Sequence, residues 1–165
     1  VMYETQRLQI REFALSDTEF IVELLNDPSF IRYIADKQVR TSEDAEQYLR
    51  NGPILSYQTY GFGLKLVCLK ATQEAIGMCG ILKRAELDSP DLGYAFLPRY
   101  WKQGYALEAA TAVMEHETKQ HSLACVQAVT LPDNLASNQL LHRLGFTMME
   151  TISLYGQENN LYQHA

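Results

Sequence analysis

The stretch Asp91 to Glu108, DLGYAFLPRYWKQGYALE, decides the fold, because it runs from an alternating strand through a tight turn into a helix at one glycine. Asp91 to Leu97 has period-two apolar character, and Pro98 has no N–H to give to a strand ladder. From Leu107 the apolar residues fall at helical spacing: Leu107, Ala110 and Val113 with Met114. Gly104 sits at the junction, where a residue without a Cβ lets the backbone turn and a ligand approach closely. The first N–H groups of the new helix lack intrahelical partners and carry the positive end of its dipole, so the turn is built to receive an anion. A dinucleotide fingerprint would need G-x-G-x-x-G and a Walker loop Gly-Lys-Ser/Thr, whereas Tyr105 and Ala106 follow Gly104 here.

Working outward, 165 residues suit one domain with a sizeable core, and 47% hydrophobic with 21% charged residues is a globular composition. The formal net charge of −6 argues against general binding to nucleic acid or anionic membranes and leaves room for a cationic acceptor. Cys68, Cys79 and Cys125 are odd in number, lie in apolar strand-like runs and show no metal spacing, which reads as reduced core residues of a cytoplasmic protein. Nothing at the N-terminus resembles a signal peptide, and no apolar run approaches the ~20 residues of a membrane span.

Before the central stretch, Leu8 and Ile10 alternate with Gln9 and Arg11 as a short strand. Ser16 with Glu19 predicts a capping box for a helix carrying Phe20, Ile21, Leu24 and Leu25, stopped by Asp27-Pro28. A second short helix carries Phe30, Ile31 and Ile34; Thr41 and Asp44 open a third, and Asn51-Gly52-Pro53 is expected to end it. Phe62 to Leu69 and Ala75 to Leu82 read as a hairpin that the Asp91 strand extends. Cys125 to Leu131 then reads as a strand, Asn134 to Leu144 as a helix with Gly145 as its C-cap, and Phe146 to Ile152 with Asn159 to Gln163 as closing strands. The sum is an α/β (α+β) fold: a mixed, mostly antiparallel sheet flanked by helices, with one strand-helix-strand crossover whose helix begins at the anion-binding turn. The aromatic tail with Tyr155 and Tyr162 either closes a homodimer or finishes the sheet.

Trp101-Lys102-Gln103-Gly104-Tyr105-Ala106 resembles the Q/R-x-x-G-x-G/A motif of the GNAT N-acyltransferases, and WKQGYALEA resembles its RimJ/RimL-like branch, with Trp101 in place of the usual Gln or Arg. A second segment, Asn134-Leu135-Ala136-Ser137-Asn138 running on to Leu144-Gly145-Phe146, resembles the N-x-x-S-x-x-x-L-x-x-x-G-F of the same branch. With TQRLQIREF near the start and IGMCGIL before the central strand, the resemblance covers nearly the whole chain.

The resemblance implies a V-shaped cleft between the two central strands, with acetyl-CoA as cofactor. Its pyrophosphate would lie on the Trp101 to Ala106 turn and its pantetheine against backbone near Phe96 and Leu97. Asn134 and, more loosely, Asn138 would contact the cofactor, and Ser137 would protonate or polarise the departing thiolate. Many members use a tyrosine four residues before the Gly-Phe pair for that task; Leu141 stands there in this chain. Asn134 and Ser137 are equally residue types that cap helices, a use compatible with ligand contact.

An amine acceptor must lose a proton, a task for a carboxylate acting directly or through water, or for water itself. Asp91 is the first choice of base with Glu86 and Glu150 as alternatives, although Asp91 reads more readily as a turn residue after Ser89-Pro90. His116, His121, His142 and His164 read as polar positions on helices or the tail. The expected activity is direct acetyl transfer to a primary amine of a small molecule or protein N-terminus, by a monomer or homodimer. A different class of reading is an acyl-CoA-binding or sensing module without turnover.

Overall fold

A computed structural model describes residues 2–165. Its frame is one sheet of eight strands in the order β1-β2-β3-β4-β5-β6-β8-β7. The strands are β1 Met2–Glu4, β2 Leu8–Glu12, β3 Leu64–Leu69, β4 Ala75–Leu82, β5 Asp91–Phe96, β6 Val126–Thr130, β7 Thr147–Leu154 and β8 Gln157–His164. Every neighbouring pair is antiparallel except β5 with β6. That parallel pair is joined over the sheet by helix α5, Tyr105–Gln120, the crossover expected from the central stretch.

Alternation along the strands divides the core in two. Leu64, Leu66 and Cys68 of β3 and Met78 of β4 face a layer made by α1 (Thr18–Leu25), α2 (Pro28–Tyr33) and α3 (Ser42–Leu49), which contributes Ile21, Leu24, Leu25, Phe30 and Leu49. Val67, Ile76, Cys79 and Ile81 face the other way, onto Ala109, Ala110 and Val113 of α5 and Leu141 of α6 (Leu135–Arg143). Inside this second layer, Lys65 of β3 meets Glu117 of α5 at 3.3 Å, both almost wholly buried. His116, exposed on α5, stacks on Tyr3 at 4.2 Å, and the half-buried His121 meets Phe62 edge-on at 5.4 Å.

The N-terminal half uses some of its local helix signals and overrides others. Thr41 and Asp44 form the capping box of α3, with Asp44 N–H donating to Thr41 Oγ1 at 3.1 Å and Thr41 N–H to Asp44 Oδ2 at 3.2 Å. Ser16 does not cap α1. Asp17 organises that entry instead: its carboxylate accepts the Ala14 N–H at 2.7 Å and both arms of Arg11 at 3.0 and 2.9 Å. A carboxylate holding a guanidinium makes stronger, charge-assisted bonds than a serine hydroxyl can.

Gly52-Pro53 does not end the third helix. The chain continues through a π-turn at Arg50–Ile54 into α4, Leu55–Tyr60, and stops only at Gly61 with φ +82°. A wider i→i+5 turn accommodates the missing N–H and the ring of Pro53, which a regular α-turn would not. The tail finishes the sheet: Tyr162 on β8 is buried, whereas Tyr155 is exposed in the β7–β8 turn. Gly145, at φ +89°, makes the C-terminal stop after α6. Strand β7 is one of the two edges of the sheet and is exposed along most of its length.

Candidate functional site

The anion-binding turn has the geometry its residues call for. Gly104 is the N-cap of α5 at φ +82°, ψ 4°, a left-handed conformation that favours glycine. The first bond of the helix runs from Glu108 N–H to Gly104 O at 3.0 Å, which leaves the N–H groups at the mouth of the turn directed outward. A Cβ on Gly104 would come within 3.3 Å of the Arg7 Nη2, so the space over the glycine is a cradle bounded by a cation. Arg7 reaches it from the β1–β2 connection, donating through Nη1 to Gln103 O at 2.9 Å and stacking over the Tyr105 ring at 4.3 Å. Glu108 in the first turn holds Arg7 Nε at 2.7 Å.

The cleft follows from how β5 and β6 pair. They are in register only at Asp91 with Gln127, where Gln127 N–H donates to Pro90 O at 2.9 Å and Gln127 Oε1 accepts the Ser89 N–H at 3.3 Å. Beyond that point no further pairs form, and the strands part towards Phe96 and Thr130, leaving a V whose closed end lies at Asp91. At the open end Leu97 N–H bonds back to Ile76 O of β4 at 3.0 Å, so the Leu97 N–H is not free to pair across the cleft as expected. Strand alternation turns the backbone groups of Phe96 to the cleft side, where its carbonyl accepts the Trp101 indole N–H at 2.8 Å. Trp101, Lys102 and Gln103 are exposed around the turn, with Lys102 at φ +62° and Gln103 Nε2 held by Arg99 O at 3.0 Å. Tyr105 and Ala106, the first two residues of α5, are half-buried behind them.

Helix α6 begins beside the second arm of the V. Asn134 is its N-cap, accepting the Ser137 N–H at 3.4 Å, so Asn134 rather than Ser137 does the capping. The Ser137 hydroxyl instead lies 2.5 Å from the hydroxyl of Tyr94 on β5. Asn138 is a connector: its Oδ1 accepts from Thr130 Oγ1 at 2.5 Å and Tyr162 Oη at 3.0 Å, and its Nδ2 donates to Pro132 O at 3.2 Å. Those bonds tie α6 to the ends of β6 and β8 and turn Asn138 inward. At the loop entering α6, Asp133 reaches Arg32 of α2 at 3.0 Å, an exposed contact between the N-terminal helical layer and this second segment.

The comparisons with known proteins agree with this geometry. Residues 7–147 match the family model described as acetyltransferase (GNAT) domain. The chain belongs to the GNAT acetyltransferase family. As a GNAT member it is an acetyl-CoA-dependent N-acyltransferase. It is 29% identical over 141 residues to the uncharacterized N-acetyltransferase YnaD of Bacillus subtilis, covering 86% of this chain and 79% of that protein. In fold it is similar to an acetyltransferase from Agrobacterium tumefaciens, with a TM-score of 0.86 at 21% identity over 100% of this chain and 94% of that one. It is also similar to RimL, a ribosomal L7/L12 alpha-N-protein acetyltransferase solved in complex with coenzyme A, with a TM-score of 0.85 at 19% identity over 99% and 97% of the two chains.

Within the GNAT frame, the expected base meets an obstacle. Asp91 has no exposed surface, and both of its oxygens are occupied by Arg84, at 3.1 Å to Nε and 2.7 Å to Nη2. Burial pushes the Asp91 carboxyl above its ordinary value while Arg84 pulls the other way. A carboxylate so enclosed acts as an anchor for the β4–β5 connection at the closed end of the V, not as an open proton acceptor. Glu86 and Glu150 are both exposed, and Glu86 Oε1 accepts from Tyr155 Oη at 3.3 Å. Leu141 is fully buried against α5, so the tyrosine position of other members is filled here by core packing. Sequence reasoning missed Tyr94 and Arg7; Tyr94 looked like one more apolar-face residue of a strand, and its 43-residue separation from Ser137 gave no local signal.

Proposed function

We propose that this GNAT member is a cytoplasmic N-acetyltransferase whose acceptor is a primary amine of a small molecule or a protein N-terminus, the latter being the kind of acceptor RimL's description gives for RimL. The observation that carries the reading is the Ser137 hydroxyl at the start of α6, beside the cleft and bonded to a side chain of the opposite arm. Acetyl-CoA supplies an activated thioester and, after transfer, a departing thiolate.

The cradle fits the charged end of that group. The left-handed Gly104, the outward N–H groups of α5 and the nearby Arg7 suit a pyrophosphate, held through backbone at Gln103, Gly104, Tyr105 and Ala106 with Trp101 and Lys102 alongside. Phe96 offers its cleft-side backbone to the pantetheine arm, and Asn134 stands beside it at the second arm of the V. Ser137 donates its hydroxyl hydrogen to the sulfur as negative charge develops there, an interaction strongest in the transition state. The amine proton passes to water at the open mouth, Asp91 remaining in its pair with Arg84. The protein works as a monomer or homodimer, and its core cysteines Cys68 and Cys79 suit a reducing compartment.

Replacing Ser137 by Ala tests this. Loss of the hydroxyl should lower kcat by roughly ten- to a thousandfold while changing affinity for acetyl-CoA little. A fully active Ser137→Ala enzyme would remove the serine from the chemistry. Cofactor binding without thiol release across a panel of amines would turn the reading into that of a sensor.

A further inference from the structure

Tyr94 is the fourth residue of β5 and, with Leu92 and Phe96, points to the layer of α5 and α6, whereas Asp91 alternates to the opposite face. Its ring is packed in the core and its hydroxyl emerges at the start of α6, 2.5 Å from Ser137 Oγ and 3.5 Å from Ser137 O. The Ser137 backbone is held independently, through its N–H to Asn134. One turn further along α6, Leu141 closes the position from which a tyrosine would otherwise enter the cleft.

We propose that Tyr94 is a positioning residue for Ser137: its phenol donates to Ser137 Oγ and so directs the single hydroxyl hydrogen of the serine to the departing sulfur. This rests on the reading of Ser137 given above. A serine hydroxyl has one hydrogen and two lone pairs, so its hydrogen is free for the sulfur only if the tyrosine is the donor between them. The opposite arrangement would spend that hydrogen on Tyr94. A phenol is the more acidic partner and the better donor. Burial pushes the Tyr94 phenol further up, so it keeps its proton and acts as a fixed donor rather than a proton source. Consecutive O–H bonds polarise one another, which strengthens the terminal bond to a sulfur gaining charge. In the transfer itself the amine nitrogen forms the new C–N bond, the C–S bond breaks with its electron pair going to sulfur, and the nitrogen gives its proton to water. The sulfur recovers a proton from water afterwards, so neither hydroxyl is consumed.

Tyr94→Phe keeps the packed ring and deletes one oxygen. We expect kcat to fall by about three- to thirtyfold, the scale of one good hydrogen bond, with the KM and Kd for acetyl-CoA within about twofold of the original. Adding Ser137→Ala should cost nothing beyond Ser137→Ala alone, because both changes break one chain of bonds. A second readout needs no turnover: ultraviolet absorbance of the thiolate of bound CoA, followed against pH. Tyr94→Phe and Ser137→Ala should each raise the pH at which the bound thiol ionises, and the affinity of a desulfo analogue should stay constant. Fluorotyrosine at position 94, a stronger donor of nearly unchanged shape, should lower that pH and keeps the test open should Tyr94→Phe fold poorly. An impaired Ser137→Ala beside a Tyr94→Phe with unchanged kcat and thiol titration overturns the positioning role and leaves the serine reading intact. Additive losses in the double variant overturn it as well. Full activity in both variants removes the serine reading itself.

Discussion

Arg7 and Glu108, 101 residues apart in the chain, form a two-point clasp beneath the anion-binding turn: Arg7 Nε lies 2.7 Å from Oε1 and Arg7 N–H 2.9 Å from Oε2. Thr5 Oγ1 adds a third bond to Oε2 at 2.5 Å. The β1–β2 connection is thereby fastened to the first turn of α5, and the guanidinium is held beside Gly104 instead of being free in solvent. A carboxylate in the first turn also complements the helix dipole without entering the ligand's space.

Glu108→Gln should therefore loosen both the turn and the cation beside it. We expect affinity for CoA to fall by about three- to tenfold, equivalent to about 1 kcal/mol, as measured by calorimetry. Partial burial by itself would raise the Glu108 carboxyl, but hydrogen bonds from Thr5 and Arg7 outweigh it and hold the group below its ordinary value. A carboxylate with a lowered folded-state value stabilises above its unfolded value, about pH 4.3, and loses that contribution as pH falls through the folded one. Denaturant unfolding of wild type and Glu108→Gln should differ at pH 7 and converge as the pH falls through the lowered folded-state value. A gap independent of pH would mean that the ionised form is not what matters.

Gly104→Val should weaken cofactor binding by at least about tenfold and lower the stability of the free protein by about 1–3 kcal/mol. Valine at φ +82° is strained by its β-branch, and its Cβ would crowd Arg7 Nη2. Calorimetry with CoA and thermal unfolding on the same variant check both arms. Unchanged affinity in the folded variant would place the phosphates elsewhere.

Asp91→Asn distinguishes an anchor from a base. Removing the charge leaves Arg84 without its buried partner, and we expect a loss of about 2–4 kcal/mol in unfolding free energy. The acidic limb of the pH profile of kcat/KM should keep its shape in this variant. Its disappearance, with stability unaltered, would restore Asp91 as the proton acceptor.

Much of this protein was legible in the residue order because the decisive signals are local. Pro98 and Gly104 punctuate strand, turn and helix within a few residues, Thr41 and Asp44 cap one helix, and Gly145 stops another; each acts through the backbone of its own neighbourhood. Period-two and helical spacing likewise reported which faces would be buried, and hence the crossover that sets the turn beside the cleft. Gly52-Pro53 marks the limit of such rules, since the chain passes Pro53 in a π-turn whose wider bonding accommodates a residue that ordinarily stops a helix. Tertiary structure alone decided the relationships between side chains distant in sequence: Arg7 with Glu108, Tyr94 with Ser137, and Arg84 closing around Asp91. A carboxylate's availability depends on what surrounds it, and a hydroxyl's direction on the lone pair it meets. Neither is a property of the residue or its immediate neighbours, so the anchor at Asp91 and the donor behind Ser137 emerged only when strand and helix were brought together.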